Sequence, residues 1–452
     1  MRRAALATAL FALLLAALAA SFTGRAPVRF ADSEGYLWAA AQPLDAGFFA
    51  SDRAPFEVGP QPLPEDGLYR NRPWLVPLLY RASSLLPVRI VRTQIVLYSV
   101  GVALGLLLLF AAARQGTAPL GAPRLVLSAA PLVGLALAWY VAGWCGVLLS
   151  EATVLALAWL AVGAIAAHVA HGRRAALALA WCASAALLFA RDSGGLLVLP
   201  LFAAAALAAL AAGDRRRARS LAGAGLLLLP LVGAALALAA RGHRTVLPVA
   251  NVLLVRVAPE PTALEWWRER GLPWNEELER FRGEFAFAHD LELFRAPRYA
   301  PFLRFVDERG RGLLLRFLIT HPLWTARETW RARDDLFGTD LGTYVGSPPA
   351  ALAPIDRAMR WFGALGAALV LAAWAVRLAR RGAPSGADLV PFAIAAAFLC
   401  HGLAALHADA AEPERHTFPT TFGLQLAAAY VVARVLSARH GDRRETADGV
   451  AT

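Results

Sequence analysis

The sequence predicts an all-α protein, a polytopic transmembrane helical bundle of about ten spans with helical loops on one side. Three observations carry this. Of 452 residues, 58% are hydrophobic, too apolar for a soluble chain of this length. Apolar stretches near 20 residues, the length that crosses a hydrocarbon core of about 30 Å, recur ten times. The chain holds no lysine, and its arginines gather at alternate ends of those stretches, as cytoplasmic loops require.

In order, the stretches are 4–22, 93–113, 124–142, 145–167, 175–190, 195–212, 221–240, 359–378, 388–406 and 418–436. The first also reads as a signal peptide: MRR, an apolar run, then ALAAS. Under either reading residues 25–92 lie outside. The segments 175–190 and 195–212 are short and separated only by RDSGG. MRR, RQGTAPLGAPR, HGRR, GDRRRARS, RLARRG and ARHGDRRE all fall on one side, while the turn near Gly143 has no arginine and RDSGG has one. Both termini are therefore expected in the cytoplasm of a cytoplasmic-membrane protein. The predicted organisation is an N-terminal transmembrane module, 1–240, containing a first outside loop, 25–92. An outside helical region, 241–358, follows, then C-terminal transmembrane helices, 359–437, and a disordered cytoplasmic tail, 438–452. Within 241–358, WWRERGLPWNEELERF and FLRFVDERGRGLLLRFLITHPLWTARETW read as short amphipathic helices suited to a membrane interface or a lid.

The formal charge of +12 follows from arginines at span ends and gives no case for nucleic acid. The arginine and alanine bias points to a GC-rich, bacterial genome. Cys145, Cys182 and Cys400 are scattered through apolar segments; they form neither a disulfide framework nor a zinc site and read as small buried hydrophobes. GxxxxGK[ST], HExxH and GxSxG are missing from the sequence. An outer site also argues against ATP or a nucleotide sugar as direct substrate, since both are cytoplasmic.

Ionisable groups at membrane depth are costly and mark candidate sites. On this topology they gather at the outer face. Asp32, Glu34 and Tyr36 lie in FADSEGYLWAA, Ser150 and Glu151 in LLSEATV, and Arg191 and Asp192 in FARDSGG. Glu412, Glu414, Arg415 and His416 lie in AEPERHT. Each has a plainer reading. Asp32 and Glu34 also fit a solvated loop pair, Glu151 a helix-holding ion pair, and Arg191 and Arg415 headgroup contacts. Asp192 with Ser193 fits a helix cap, and His416 a structural ring. Two carboxylates two apart do not by themselves make a divalent-metal site.

NRPWLVPLLYRASSLLP, LLSE, FARDSGGLLVLPL and PERHTFPTTFGL, in this order and topology, resemble the GT-C superfamily of polytopic membrane glycosyltransferases. These depend on polyprenyl-phosphate sugars, as in the protein mannosyltransferase and aminoarabinose transferase types. The likeness covers about 25–200 and 409–437 and leaves 241–358 unmatched. The acidic motif here is Asp-Ser-Glu rather than adjacent acids, His416 stands where an aromatic often follows the arginine, and no large soluble C-terminal domain follows.

The resemblance implies a GT-C-like fold and an inverting glycosyltransferase of the cell envelope. It would move a sugar from a polyprenyl-phosphate carrier to a hydroxyl of a glycan, lipid or protein. Asp32 is the matching position for the base, with its pKa expected to be raised beside a partly dry cavity. Arg191 and Arg415 are expected to hold the donor phosphate. Glu34 is assigned to the acceptor or to a divalent cation such as Mg or Mn; no cofactor is certain. Glu151, Asp192, Glu414, His416 and Tyr36 are supporting candidates, with Glu151 orienting an arginine. Trp38 and Trp74 fit a sugar platform, a lipid entrance or core packing equally. An O-antigen ligase or polymerase type, a multi-pass transporter and a non-catalytic assembly protein are the alternatives.

Overall fold

The computed structural model describes residues 2–50, 71–117 and 122–438. Residues 51–70 of the predicted first loop and the tail beyond Ala438 lie outside them. Among the described residues every regular element is helical, and extended backbone pairs only at one bridge, Val28 with Val147.

Seven helices are long and apolar enough to cross a bilayer: Pro87–Ala113, Glu151–His171, Gly194–Ala211, Arg215–Arg241, Ala353–Arg381, Gly386–Ala408 and Pro413–Ala438. The stretch 124–142 forms Ala122–Leu137, breaks at Ala138 and continues into a segment bent by 49°, which makes eight if the pair is one span. Two further apolar helices, Ala9–Phe22 and Arg174–Ala190, are shorter. An unanticipated apolar helix covers Val246–Val257.

One boundary differs from expectation. The stretch 145–167 becomes helical only at Glu151; Gly143–Gly146 is a 3-10 turn that leads into the bridge at Val147. Continuous apolarity hid this break. Gly143 and Gly146 let neighbouring groups nest in the turn: a Cβ would lie 2.8 Å from Val345 at the first and 2.4 Å from Phe22 at the second. This turn delivers Ser150 and Glu151 to the end of the bundle.

The densest pairing is between Pro87–Ala113 and Glu151–His171. Lipid supplies little hydrophobic drive between spans, so close backbone approach through small residues must hold them. A Cβ on Gly101 would sit 2.5 Å from the Ala156 carbonyl oxygen, and one on Gly105 2.4 Å from that of Trp159. A Cβ on Gly163 would sit 2.5 Å from the Gly105 carbonyl oxygen. These neighbours are backbone and cannot turn aside. Gly105→Leu is therefore expected to cost at least about 3 kcal/mol, the upper range of core overpacking. A thermal melt of the detergent-solubilised protein measures it.

Arginines cap the opposite end of the bundle. Arg434 Nη1 donates to the carbonyls of Ala113 and Gln115, and its Nε meets Asp388 at 2.6 Å. Arg217 donates to the carbonyls of Val169 and Ala170. Cations at helix C-termini complement the helix dipole, which gives these loop arginines a structural task. Cys145 is buried, but Cys182 and Cys400 are exposed; they sit on outward faces of apolar helices, not in the core as expected.

The 241–358 region has its own core. Trp267, Phe281, Phe294, Tyr299, Phe302 and Phe317 are fully buried there. Two π-helical turns, Val252–Val257 and Val306–Gly310, lie within it. Such turns cost hydrogen-bond quality and often mark functional places.

Candidate functional site

The site forms where separate chain segments end together. Asp32 lies in the first turn of Ala31–Ala41, where the helix dipole favours a carboxylate. Its Oδ1 accepts from Arg72 Nη2 at 2.7 Å, and its Oδ2 from Arg415 Nη1 at 3.2 Å. Arg72 also stacks over the Tyr36 ring, 4.9 Å from its centroid. Arg415 lies in the first turn of Pro413–Ala438 and is 5% exposed. Its Nε donates to Glu151 Oε1 at 2.7 Å and its Nη1 to Glu412 at 2.7 Å. Glu151 opens its helix and is 1% exposed. The same Oε1 accepts from Arg191 Nη1 at 2.9 Å, while Oε2 is buried without a hydrogen-bond partner. Arg191 ends the Arg174–Ala190 helix, and its Nη2 reaches His416 Nδ1 at 3.0 Å. A guanidinium only donates, so Nδ1 accepts and the hydrogen of the neutral ring sits on Nε2. That nitrogen faces Asp409 Oδ2 at 3.8 Å.

Asp32, Glu151, Arg191, Arg415 and His416, singled out in sequence, thus belong to one continuous polar chain. Tyr36 is buried beside it. Glu34 is not part of it. Two residues along a helix turn the side chain by about 200°, and Glu34 faces Arg29 at 3.4 Å with half its side chain exposed. Asp192 does not cap the next helix. It takes a two-point ion pair from Arg244, Nε and Nη2 each at 2.9 Å, and Ser193 makes no side-chain cap. Glu414 accepts from the Tyr344 hydroxyl at 3.2 Å. Trp74 packs between Phe49 and Phe189 in an aromatic row. No group of three or more His, Cys, Asp or Glu side chains among the described residues is placed to hold a metal.

The electrostatics of Asp32 run opposite to expectation. Burial opposes its charge, but the guanidiniums of Arg72 and then Arg415 outweigh burial and hold the carboxyl well below the usual carboxylate range. Without a displacing ligand it is a charge partner, ionised but weakly basic.

Asp409 is the contrasting carboxylate. Its Oδ1 accepts from the Ala411 amide at 2.9 Å and from Asn251 Nδ2 at 3.3 Å. Asn251 is fully buried, and its own oxygen is fixed by the Ala286 amide. Among the described residues no arginine lies within 4 Å of Asp409. Burial, with Glu412 adding to it and Arg256 opposing, pushes its pKa up from 3.8 to about 6. A raised carboxyl stabilises the fold fully below its ordinary value and loses that contribution as pH rises through the folded one. Asp409→Asn keeps the shape and removes the buried charge. It is expected to raise stability at pH 7.5 by up to about 3 kcal/mol, from roughly two pKa units. The gain should vanish below about pH 4, where both states are protonated. Melting curves of both proteins across that range check it.

Arg72, Asp409, Arg244 and Asn251 were missed in sequence. Arg72 was the nearest to visible, since it stands inside the NRPW stretch already singled out.

No family model, curated protein or solved structure matches the chain.

Proposed function

We propose that the chain is a membrane glycosyltransferase of the GT-C type. It moves a sugar from a polyprenyl-phosphate carrier to an acceptor hydroxyl at the outer face of the cytoplasmic membrane. One observation carries the reading: Arg72, Arg191 and Arg415 converge with Asp32 and Glu151 at one end of an apolar bundle. That end is the outer one if the arginine-rich loops are cytoplasmic, and about ten crossings follow if the shorter apolar helices also span. The charges collect at helix ends rather than midway, which favours chemistry at a leaflet surface over a transport path.

The mechanism follows from the clamp on Asp32. A phosphate ester entering from the leaflet competes for the guanidiniums of Arg72 and Arg415. As they turn to it, Asp32 loses the charges that keep it weakly basic, and burial then raises its proton affinity. Asp32 takes the acceptor hydroxyl's proton as that oxygen bonds to the anomeric carbon. The bond from that carbon to the phosphate oxygen breaks, and its electron pair leaves on the lipid phosphate, where the guanidiniums balance the charge. A single displacement inverts the anomeric centre. The unpartnered Oε2 of Glu151 is an acceptor for a hydroxyl of the bound sugar. Donor binding thus activates the base, so acceptor is deprotonated only when a donor is present.

Native mass spectrometry of the full chain in nanodiscs tests the phosphate half. With polyprenyl phosphate and the uncharged polyprenol present in equal amounts, the protein is expected to retain the phosphate at least tenfold better. Equal retention contradicts the reading.

A further inference from the structure

Helices Arg311–Thr320 and Pro322–Arg331 form a hairpin beside the site. Its inner side is firmly placed. The His321 ring at the corner stacks on Phe317 at 4.4 Å and meets Trp266 edge-on at 5.5 Å. Phe317 packs on Trp324 at 4.9 Å, and Thr325 Oγ1 bonds to the Leu318 carbonyl. The hairpin is fixed on the end of a span: Thr329 Oγ1 lies 2.9 Å from His407 Nε2, and the Trp324 and His407 rings are 6.5 Å apart. His407 is one residue from the end of Gly386–Ala408.

The outer side is an apolar ridge with no protein against it. Leu315 and Ile319 stand out from the first helix at 62% and 69% exposure, Leu323 and Trp330 from the second at 86% and 70%. Spacings of four and seven put each pair on one helix face. Because the inner side is locked, this face cannot fold inward. Polar groups border it: Arg333 stacks over Trp330 at 5.0 Å, Arg311 and Arg316 are exposed, and Arg327 and Arg331 turn to Glu260. Monomeric proteins rarely leave such a ridge in water.

We infer that this hairpin lies in the headgroup region of the phospholipid leaflet at the site's end of the bundle, with Leu315, Ile319, Leu323 and Trp330 in the acyl boundary. Two features select phospholipid as the occupant. The ridge is mounted at the end of a span, since Thr329 rests on His407 one residue from the end of Gly386–Ala408. Its border of guanidiniums next to a tryptophan matches the phosphate level of a leaflet. The hairpin then fixes the height of 409–416, which adjoin His407, so the polar chain opens at headgroup depth. This inference does not depend on the transfer chemistry.

Spin labels on the full chain test it. Cys145, Cys182 and Cys400 are replaced by alanine, and single cysteines are placed as Ile319→Cys, Leu323→Cys, Glu277→Cys and Leu369→Cys. Glu277 is half exposed in the same region, and Leu369 is exposed on Ala353–Arg381. In phospholipid nanodiscs, accessibility to oxygen relative to a water-soluble nickel chelate is expected to be several-fold higher at 319 and 323 than at 277, approaching that at 369. A ratio at 319 and 323 equal to that at 277 overturns the inference. Strong dipolar coupling between labels at 323 would show a second copy of the chain covering the ridge, and would overturn it too.

Discussion

Asp32→Asn is expected to fold and to lower the transfer rate by about 10²–10⁴-fold, the usual contribution of a general base. An amide offers an oxygen to Arg72 or Arg415 but cannot take the acceptor's proton. The effect should fall on kcat, since the guanidiniums that meet the donor phosphate remain. A stability change accompanies it and has a defined sign. A depressed carboxyl stabilises above its ordinary pKa of 3.8, and that contribution is lost as pH falls through the folded value. The variant should therefore melt earlier than the parent at pH 7, with the gap closing in strong acid. A rate within twofold of the parent would remove Asp32 from the chemistry.

Glu151→Ala should have the largest effect on stability. Its Oε1 is shared by Arg191 and Arg415, and Glu151 is almost fully buried. Removing one partner from a buried ionic group leaves charge without compensation and costs roughly 3–5 kcal/mol. Arg415 keeps Asp32 and Glu412, but among the described residues Arg191 keeps the uncharged His416 ring and no carboxylate. Arg191 is therefore expected to shift most, and transfer to fall with it. Thermal melts in detergent measure the loss. An unchanged melt would mean that the arginines find other partners and that Glu151 does not organise them.

The span ends were legible in sequence because charge inside an apolar run is costly and therefore conspicuous. Glu151, Arg191 and Arg415 stand out for that reason, and helix ends that pack together brought them into contact. Sequence proximity misled in two cases. Glu34 is near Asp32 along the chain but on another face of the helix. Asp192 adjoins Arg191, yet Arg244, from a distant segment, takes it. Arg72 and Asp409 sit in loops where charge is ordinary, so nothing local marks them; their importance comes from the residues of distant segments that they meet, Asp32 for Arg72 and Asn251 for Asp409. The break before Glu151 was hidden because 143–150 is as apolar as the helices around it. The hairpin's amphipathic pattern was visible, but which face remains uncovered depends on the packing of Trp324 and Thr329 against His407.

The central claim is that a polyprenyl-phosphate sugar is consumed at the Asp32 cluster. Lipid mass spectrometry on three strains tests it most directly: a deletion, the deletion complemented with the parent chain, and the deletion complemented with Asp32→Asn. The account predicts that one polyprenyl-phosphate sugar accumulates in the deletion and in the Asp32→Asn strain but not in the complemented one, its mass identifying the donor. Identical lipid-linked sugars in all three strains, with both proteins present in the membrane, would contradict it.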